Sequence, residues 1–249
     1  MTKVFISGSI VVKKLPKEVI ESIDKIISQN FIILVGDAPG IDTLVQNYCR
    51  SRNYSNVTVY SIHSPPRYKV NTFKHKFILP KIESKREREL QQEKDKAMTF
   101  DSNFSLVVWD GKSKGSYSNI LRAIKNNKKV KVFYQPENKY LENEKINSNE
   151  IEFVYRKNNG YAAKEVVELL LSEGEEFFQN TRMLNKYLLD YNIIRKEDGI
   201  YKPSNGYEKL FIIDKYRGKI KGIKFRNEFI NWIEGWVKQI KIPEQQGMF

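Results

Sequence analysis

A short apolar run that ends in a glycine-rich turn constrains the fold of this 249-residue chain more than any other feature. Residues 31–35 are continuously apolar, which fits one buried strand and is too short for a buried helix. The run stops at the turn Gly36 to Gly40, and from Ile41 onward apolar residues recur at helical spacing. In such a unit the glycines let a ligand approach the backbone, and the free amides of the helix can bind an anion. The same unit also serves as a purely structural turn, so the stretch alone leaves both interpretations open.

The first half of the chain repeats this alternation of strand and helix. Strands are predicted at residues 3–6, 32–35, 57–62, 104–109 and 130–134, and helices at 16–29, 41–53 and 116–126, the last with Ser116 as its N-cap. This order predicts an α/β fold over residues 1–135, a Rossmann-like parallel sheet with helices on both faces and ligands at the carboxyl ends of its strands. Residues 64–99 are mostly polar and predict a loop followed by an exposed helix, a solvated face more than a nucleic-acid surface.

A second, smaller α+β domain is expected over residues 151–249. Residues 136–150 lack apolar rhythm and predict a linker. Helices are then predicted at 162–172, after a cap at Thr181, and at 227–240, with hairpins that turn at Asp198-Gly199 and near Arg217-Gly218. Helix, turn, helix and hairpin in this order are typical of a winged helix.

The composition limits which binding partners and which cellular compartment are expected for this protein. The chain has 43 basic and 30 acidic residues and a net charge of +13, which favours a polyanionic partner or a phosphate-bearing ligand, although lysine-rich coding bias gives the same figure. The single Cys49 excludes an internal disulfide and a cysteine zinc cluster, and His63 and His75 lack partners at metal-ligand spacing, so no metal site is expected. No apolar run is long enough for a membrane span and the N-terminus is unlike a signal peptide. We expect a cytoplasmic protein without a membrane partner.

Four short elements follow one another in the first domain, namely Ser7-Gly8-Ser9, Gly36 to Asp42, Lys94-Asp95-x-x-Met98 and Trp109 to Ser116. Together they resemble the SLOG superfamily, named for its Smf/DprA and LOG members, and are most similar to its small YspA-like proteins. The resemblance covers roughly residues 1–135, and its specificity lies in the order of the elements. It implies a Rossmann-like domain that binds a nucleotide or nucleotide-derived ligand, with no redox cofactor. Members include phosphoribohydrolases that cleave the base from a nucleoside monophosphate, and sensors that bind nucleotide signals without cleaving them. The ligand-binding residues that it implies are Ser7, Gly8, Ser9, Gly36, Asp37, Ala38, Gly40, Asp42, Lys94, Met98, Trp109, Gly111, Gly115, Ser116 and Asn119.

The sequence departs from the hydrolase pattern at Asn119, where the LOG-type enzymes have a glutamate. Asparagine cannot act as a base, whereas cleavage of an N-glycosidic bond needs a carboxylate to stabilise an oxocarbenium-like centre or to activate water. Asp95 and Asp110 are the candidate catalytic residues. Asp37 and Asp42 could also supply a carboxylate, but a turn former and a first-turn helix residue explain them equally well.

The second domain is similar to the C-terminal domains of phage antirepressors, in the segments Gly160 to Val166, Thr181 to Leu188 and Asp198 to Pro203. The resemblance implies a winged-helix-like module that contacts DNA or a repressor-type protein. The side chains expected to reach the partner are Arg182, Asn185 and Lys186, with Arg195, Lys196 and Lys202 at the wing. However, residues 151–249 hold 17 basic and 14 acidic residues, which is unlike a dedicated DNA-binding domain.

Three functions remain open from the sequence. The first is a binder that senses or sequesters a nucleotide signal and relays it to DNA or a protein, in a phage or anti-phage-defence context. The second is an N-glycosidase that acts on a nucleotide derivative. The third is a DNA-binding regulator whose nucleotide domain is degenerate. Asparagine at position 119 favours the binder over the enzyme. The resemblance to the SLOG superfamily implies a homo-oligomer.

Overall fold

The computed structural model describes residues 1–142, 146–216 and 218–241, and the chain divides into two compact units on either side of the Glu152–Phe153 bond. Each unit has its own hydrophobic core. The division falls within a helix over Ser148–Asn159. No helix among these described residues is long and apolar enough to cross a membrane.

The first unit is a seven-stranded, mostly parallel sheet in the order β4-β3-β2-β1-β5-β6-β7, with only β7 antiparallel to its neighbour. This Rossmann-like architecture confirms the predicted fold class. Its strands are β1 (Lys3–Gly8), β2 (Ile32–Val35), β3 (Val57–Ser61), β4 (Lys74–Phe77), β5 (Phe104–Trp109), β6 (Lys129–Tyr134) and β7 (Lys139–Tyr140), and its helices are α1 (Lys17–Ser28), α2 (Ile41–Ser51), α3 (Glu87–Asp101) and α4 (Lys114–Lys125).

Helices cover both faces of this sheet because successive side chains of each strand point to opposite sides. On one face, buried residues of α1 and α2 such as Val19, Val45 and Cys49 pack on the strands, and burial raises the pKa of the Cys49 thiol to about 12. On the other face, Met98 of α3 packs on Phe5 and its neighbours in β2 and β3.

The structure corrects four local predictions in this unit. Residues 136–150 are not a linker throughout, because β7 joins the sheet there and Tyr140 packs edge-on against Phe133 at 5.2 Å. The edge strand β4 was not predicted, since all four of its side chains are exposed and show no apolar alternation. Helix α3 begins at Glu87, and its last turns have a buried face. The N-cap of α4 is Ser113, and Ser116 lies within the first turn.

The second unit contains helices and two small antiparallel sheets in the predicted order. The helix at the division is α5 (Ser148–Asn159), and the elements after it are α6 (Ala163–Ser172), α7 (Thr181–Asp190), β8 (Ile194–Glu197), β9 (Ile200–Pro203), β10 (Phe211–Tyr216), β11 (Lys219–Phe225) and α8 (Asn227–Lys241). Asp198 and Gly199 both have positive φ, as a tight hairpin turn requires. The second predicted turn includes Arg217, which lies outside the described residues. The cap of α7 is Asn180 and not Thr181, because the Asn180 side chain accepts a hydrogen bond from the Met183 amide at 3.0 Å.

Candidate functional site

The two central strands of the first unit define a crevice at their carboxyl ends. From β1 the chain passes through α1 to β2 on one side, and from β5 it passes through α4 to β6 on the other side. Ligands of open α/β sheets bind at such a reversal of strand order. Here it brings together the segment Ser7 to Ser9 and the segment Trp109 to Gly111.

The backbones around this crevice touch one another at two glycines. A Cβ atom on Gly8 would lie 2.5 Å from both Ile41 Cγ1 and the Val108 carbonyl oxygen. A Cβ atom on Gly40 would lie 2.5 Å from the Ile10 Cα, and Gly40 has a φ of +79°. Only glycine fits these contacts, so the carboxyl end of β1, the start of α2 and the end of β5 meet directly.

Asp110 shapes the loop that leads from β5 into α4. Its Oδ2 accepts a hydrogen bond from Ser9 Oγ at 3.0 Å, and its Oδ1 accepts from the amides of Lys112 at 3.0 Å and Ser113 at 2.7 Å. Both carboxylate oxygens are therefore engaged in holding the loop. This arrangement brings the predicted pair Ser9 and Asp110 together.

The first turn of α4 is open toward its surroundings. Nothing lies within 4 Å of the position that a Cβ on Gly115 would take. Ser113 Oγ donates to Ser116 Oγ at 2.8 Å, which orders the turn. Since the first amides of a helix have no acceptor within it, this turn can receive an anionic group.

A buried carboxylate ends the neighbouring strand β2. Asp37 is fully buried and accepts hydrogen bonds from Ser61 Oγ at 2.7 Å, Arg67 Nη2 at 2.8 Å and the Arg67 amide at 3.1 Å. Burial alone would raise the pKa of Asp37, but these hydrogen bonds and the charge of Lys94 hold it well below its usual range. Asp37 is therefore an ionised anchor for the loop that carries Arg67.

Lys94 and Asp42 meet over Gly36. A Cβ on Gly36 would overlap the Asp42 carboxylate and would lie 2.6 Å from Lys94 Nζ. Asp42 Oδ2 also accepts a hydrogen bond from the Ala38 amide at 3.1 Å. Burial raises the pKa of Asp42 to about 6, although the Lys94 ammonium opposes this shift.

Asp95 extends this charged cluster toward α4. Its carboxylate lies 3.9 Å from Lys94 Nζ and remains partly exposed. Asn119, which accepts a hydrogen bond from Arg122 Nη1 at 2.7 Å, donates one to Asp95. Burial raises the pKa of Asp95, while Lys94, Arg122 and Asn119 act in the opposite direction.

Two of the predicted ligand residues lie beneath the site instead of lining it. Met98 is 1 % exposed and Trp109 is fully buried, with its ring stacked on Tyr117 at 6.3 Å. Ligand contact by Met98 and Trp109 stays a prediction. Among the described residues, Trp109 Nε1 and Ser7 Oγ are buried without a hydrogen-bond partner, and both belong to the carboxyl ends of the central strands.

The sequence did not indicate three residues that complete the charged cluster. Ser61, Arg67 and Arg122 hold Asp37 and Asn119 in place. Arg67 lies in a loop and Arg122 is one of many basic helix residues, so neither stands out by pattern. Ser61 ends β3, and its position at the carboxyl end of a strand was the one available signal.

In the second unit, the predicted partner-contacting side chains are largely paired with acidic ones. Lys186 Nζ lies 2.5 Å from Asp190, and Asn185 is half-buried. At the wing, Arg195 and Lys202 both bind Glu197 at 2.5 Å, and Lys196 lies over the Tyr201 ring. Arg182 is exposed on α7.

Comparison with known proteins gives little beyond the fold. No family model matches the chain, and no curated protein matches it. Among solved structures, the chain is similar to DNA processing protein A from Helicobacter pylori, whose structure is described as showing a unique single-stranded DNA binding mode. The identity is 18 %, the match covers 76 % of this chain and 81 % of that one, and the TM-score is 0.41. A similarity at this level carries no argument about function.

Proposed function

We propose that the first unit binds a nucleotide or nucleotide-derived signal at the carboxyl edge of its sheet, and that the second unit couples this binding to DNA or to a protein partner. The observation that carries the proposal is the meeting of four sequence elements at one reversal of strand order. Hydrogen bonds or close contacts connect the end of β1 to β5, the turn after β2 to α3, and α3 to α4. A purely structural turn would need only one of these elements.

The open first turn of α4 supports a phosphate group as part of the ligand. Its amides point a partial positive charge into the crevice, and the missing side chain at Gly115 leaves space beside them. Ser9 and Gly111 border the same loop and let a phosphate approach the backbone.

The polar side chains next to this turn support the proposal that the ligand also contains a sugar and a base. Carboxylates accept hydrogen bonds from ribose hydroxyls, and Asp95 is the partly exposed carboxylate of the cluster. Asn119 holds Asp95 in place beside this turn, because its amide group donates to the Asp95 carboxylate and accepts from Arg122. Because Lys94, Arg67 and Arg122 offset the carboxylate charges, the cluster is already ordered before a ligand arrives.

Binding without cleavage is the better-supported activity. Asn119 replaces the glutamate of the resembling hydrolases, and both carboxylate oxygens of Asp110 already hold its own loop. One observation favours an N-glycosidase as the second candidate, namely that Asp95 is hydrogen-bonded to Asn119 and has a raised pKa. Protonated, this carboxyl could donate to a leaving base, and ionised it could stabilise an oxocarbenium-like centre.

The decisive experiment identifies the ligand. Small molecules are released by heat from the purified full chain, identified by mass spectrometry and returned to ligand-free protein, with a panel of nucleotides as the alternative. We expect an intact nucleotide or derivative that binds again and is recovered unchanged. The proposal would be contradicted if no nucleotide co-purifies with the protein and no nucleotide of the panel binds to it.

A matched pair of variants tests the position of the ligand. Gly115→Glu introduces a negative charge at the helix N-terminus, which favours the helix but repels a phosphate. Gly115→Ala fills the same open space with a methyl group only. We expect loss of binding in the first variant and retained binding in the second, with folded protein in both. Equal affinities of the two variants would contradict a phosphate at this turn.

A further inference from the structure

The positive charge of the second unit is concentrated in one hairpin. Residues 209–226 hold seven basic residues and one acidic residue. The rest of the stretch from 151 to 249 holds ten basic and thirteen acidic residues. The near-neutral total of this region therefore conceals a basic segment, β10 and β11 with their flanks, on an otherwise acidic unit.

Three lysines of this hairpin are exposed and have no ion pair within the part of the chain that the structure describes. Lys215, Lys219 and Lys221 are exposed, and no carboxylate among the described residues lies within 4.0 Å of their ammonium groups. The one acidic residue, Asp214, lies 3.9 Å from Lys224. The lysines thus present charge to solvent that a partner could neutralise.

The hairpin is anchored at its base and becomes exposed toward its turn. Phe211 pairs with Phe225 in the register, and both are buried in the core of the unit. Toward the turn, Ile213 and Ile220 are 39 % and 37 % exposed. A fixed base with an exposed apolar and basic tip is suited to enter a groove of a partner.

The helix that the sequence favoured for this role is poorly suited to a polyanion. Lys186 is paired with Asp190 on α7, and the exposed Glu173 and Glu176 lie just before that helix in the chain. Repulsion between these carboxylates and phosphates would weaken an approach along α7.

We infer that the β10–β11 hairpin, and not α7, is the surface of this unit that contacts double-stranded DNA. A two-stranded antiparallel ribbon has the dimensions of the major groove. Exposed lysines supply phosphate contacts, which give affinity and position but carry no sequence information. This inference does not depend on nucleotide binding by the first unit.

Salt-dependent binding of the full chain to a short labelled duplex tests the inference by fluorescence anisotropy. The test variant is Lys215→Gln with Lys219→Gln and Lys221→Gln. The control variant removes the same charge elsewhere in the unit, through Lys164→Gln, Arg182→Gln and Lys186→Gln. All six side chains are exposed, so we expect both proteins to keep the wild-type melting temperature.

The hairpin variant should bind roughly 100-fold more weakly at about 0.1 M salt, and its plot of log affinity against log salt should be shallower by about 2.7, since each lost phosphate contact removes about 0.9. The control variant should bind the duplex with the affinity and the salt dependence of the wild type. Equal losses in the two variants, no salt-sensitive binding of duplex by the wild type, or preferential binding of single strands or of an acidic protein would overturn the inference.

Discussion

The ammonium of Lys94 lies 3.5 Å from the carboxylate of Asp37, and only 4 % of the lysine side chain and none of the aspartate side chain is exposed. Lysine is rarely buried to this degree unless it is paired. The pair joins the end of β2 to α3, a helix whose sequence is mostly polar. The buried pair therefore fastens α3 to the carboxyl end of the sheet.

Lys94→Met should destabilise the protein by about 3–5 kcal/mol, because the buried Asp42 carboxylate loses the ammonium that opposes its burial and Asp37 keeps only Arg67 and Ser61 as partners. The measurement is the free energy of unfolding in urea. Lys96→Met is the matched control on the same helix, since Lys96 is half-exposed and forms an i,i+3 pair with Glu93 at 2.6 Å, and we expect it to change stability by no more than about 0.5 kcal/mol. Similar effects of the two substitutions would show that the buried pair does not stabilise the unit.

Gly36→Ala should disrupt the site although the added group is only a methyl. The new Cβ would overlap the Asp42 carboxylate and lie 2.6 Å from Lys94 Nζ, and both are fixed by buried contacts. Gly115→Ala is the matched control, because nothing lies within 4 Å there and alanine favours a helix by about 1 kcal/mol over glycine. Thermal unfolding should therefore shift downward for the first variant and not for the second. A melting temperature unchanged in Gly36→Ala would contradict the close packing at this turn.

The sequence predicted the strands of the first unit well where they are buried on both faces. The run before Gly36 and the run before Asp110 are continuous and apolar, and their turns fall at the carboxyl edge as expected. Strands β4 and β7 escaped prediction because they are short, lie at the edges, and have their place set by neighbouring strands and not by an apolar pattern.

The candidate site was predictable in its glycines but not in its ion pairs. Gly8, Gly36 and Gly40 were indicated by strand–turn–helix chemistry, and the structure shows a close contact at each of them. The partners of Asp37 were not, since Arg67 comes from a loop far along the chain and nothing local identifies it. Likewise, only the three-dimensional arrangement places Asp95 of α3 beside Asn119 of α4.

Asp42→Asn should stabilise the protein at neutral pH and have less effect in acid. The pKa of Asp42 rises from 3.8 to about 6 on folding, so the fold favours the protonated form. The stabilisation by this group is fully present below pH 3.8 and is lost as the pH rises through about 6. Asparagine does not titrate and can still accept the Ala38 amide.

The difference in unfolding free energy between Asp42→Asn and wild type should therefore grow by about 2.4 kcal/mol from pH 4 to pH 7.5, since each unit of pKa change is worth about 1.4 kcal/mol and the unfolded aspartate is already partly ionised at pH 4. Urea denaturation across this range measures it. The low pKa of Asp37 gives the opposite trend in both proteins, with stability lost as the pH falls, and cancels in the difference. A difference that stays constant with pH would contradict the proposed protonation of Asp42.

Asp95→Asn separates the two candidate functions of the site. Asparagine retains the size and most hydrogen bonds of the carboxylate but cannot stabilise an oxocarbenium-like centre or transfer a proton. If the protein is a glycosidase, the variant should bind the ligand found in the wild type while release of free base, followed by chromatography, falls by a factor of about 100 or more. If the protein is a binder, neither the wild type nor the variant releases base, and their affinities for the ligand differ little.

Asp110→Asn serves as the comparison, because that carboxylate holds its own loop through the amides of Lys112 and Ser113. We expect Asp110→Asn to weaken ligand binding itself. An asparagine whose side-chain oxygen still accepts from Ser9 turns its amino group toward the amides of Lys112 and Ser113, which then lose their acceptor. Base release that persists in Asp95→Asn would exclude Asp95 as the catalytic carboxylate.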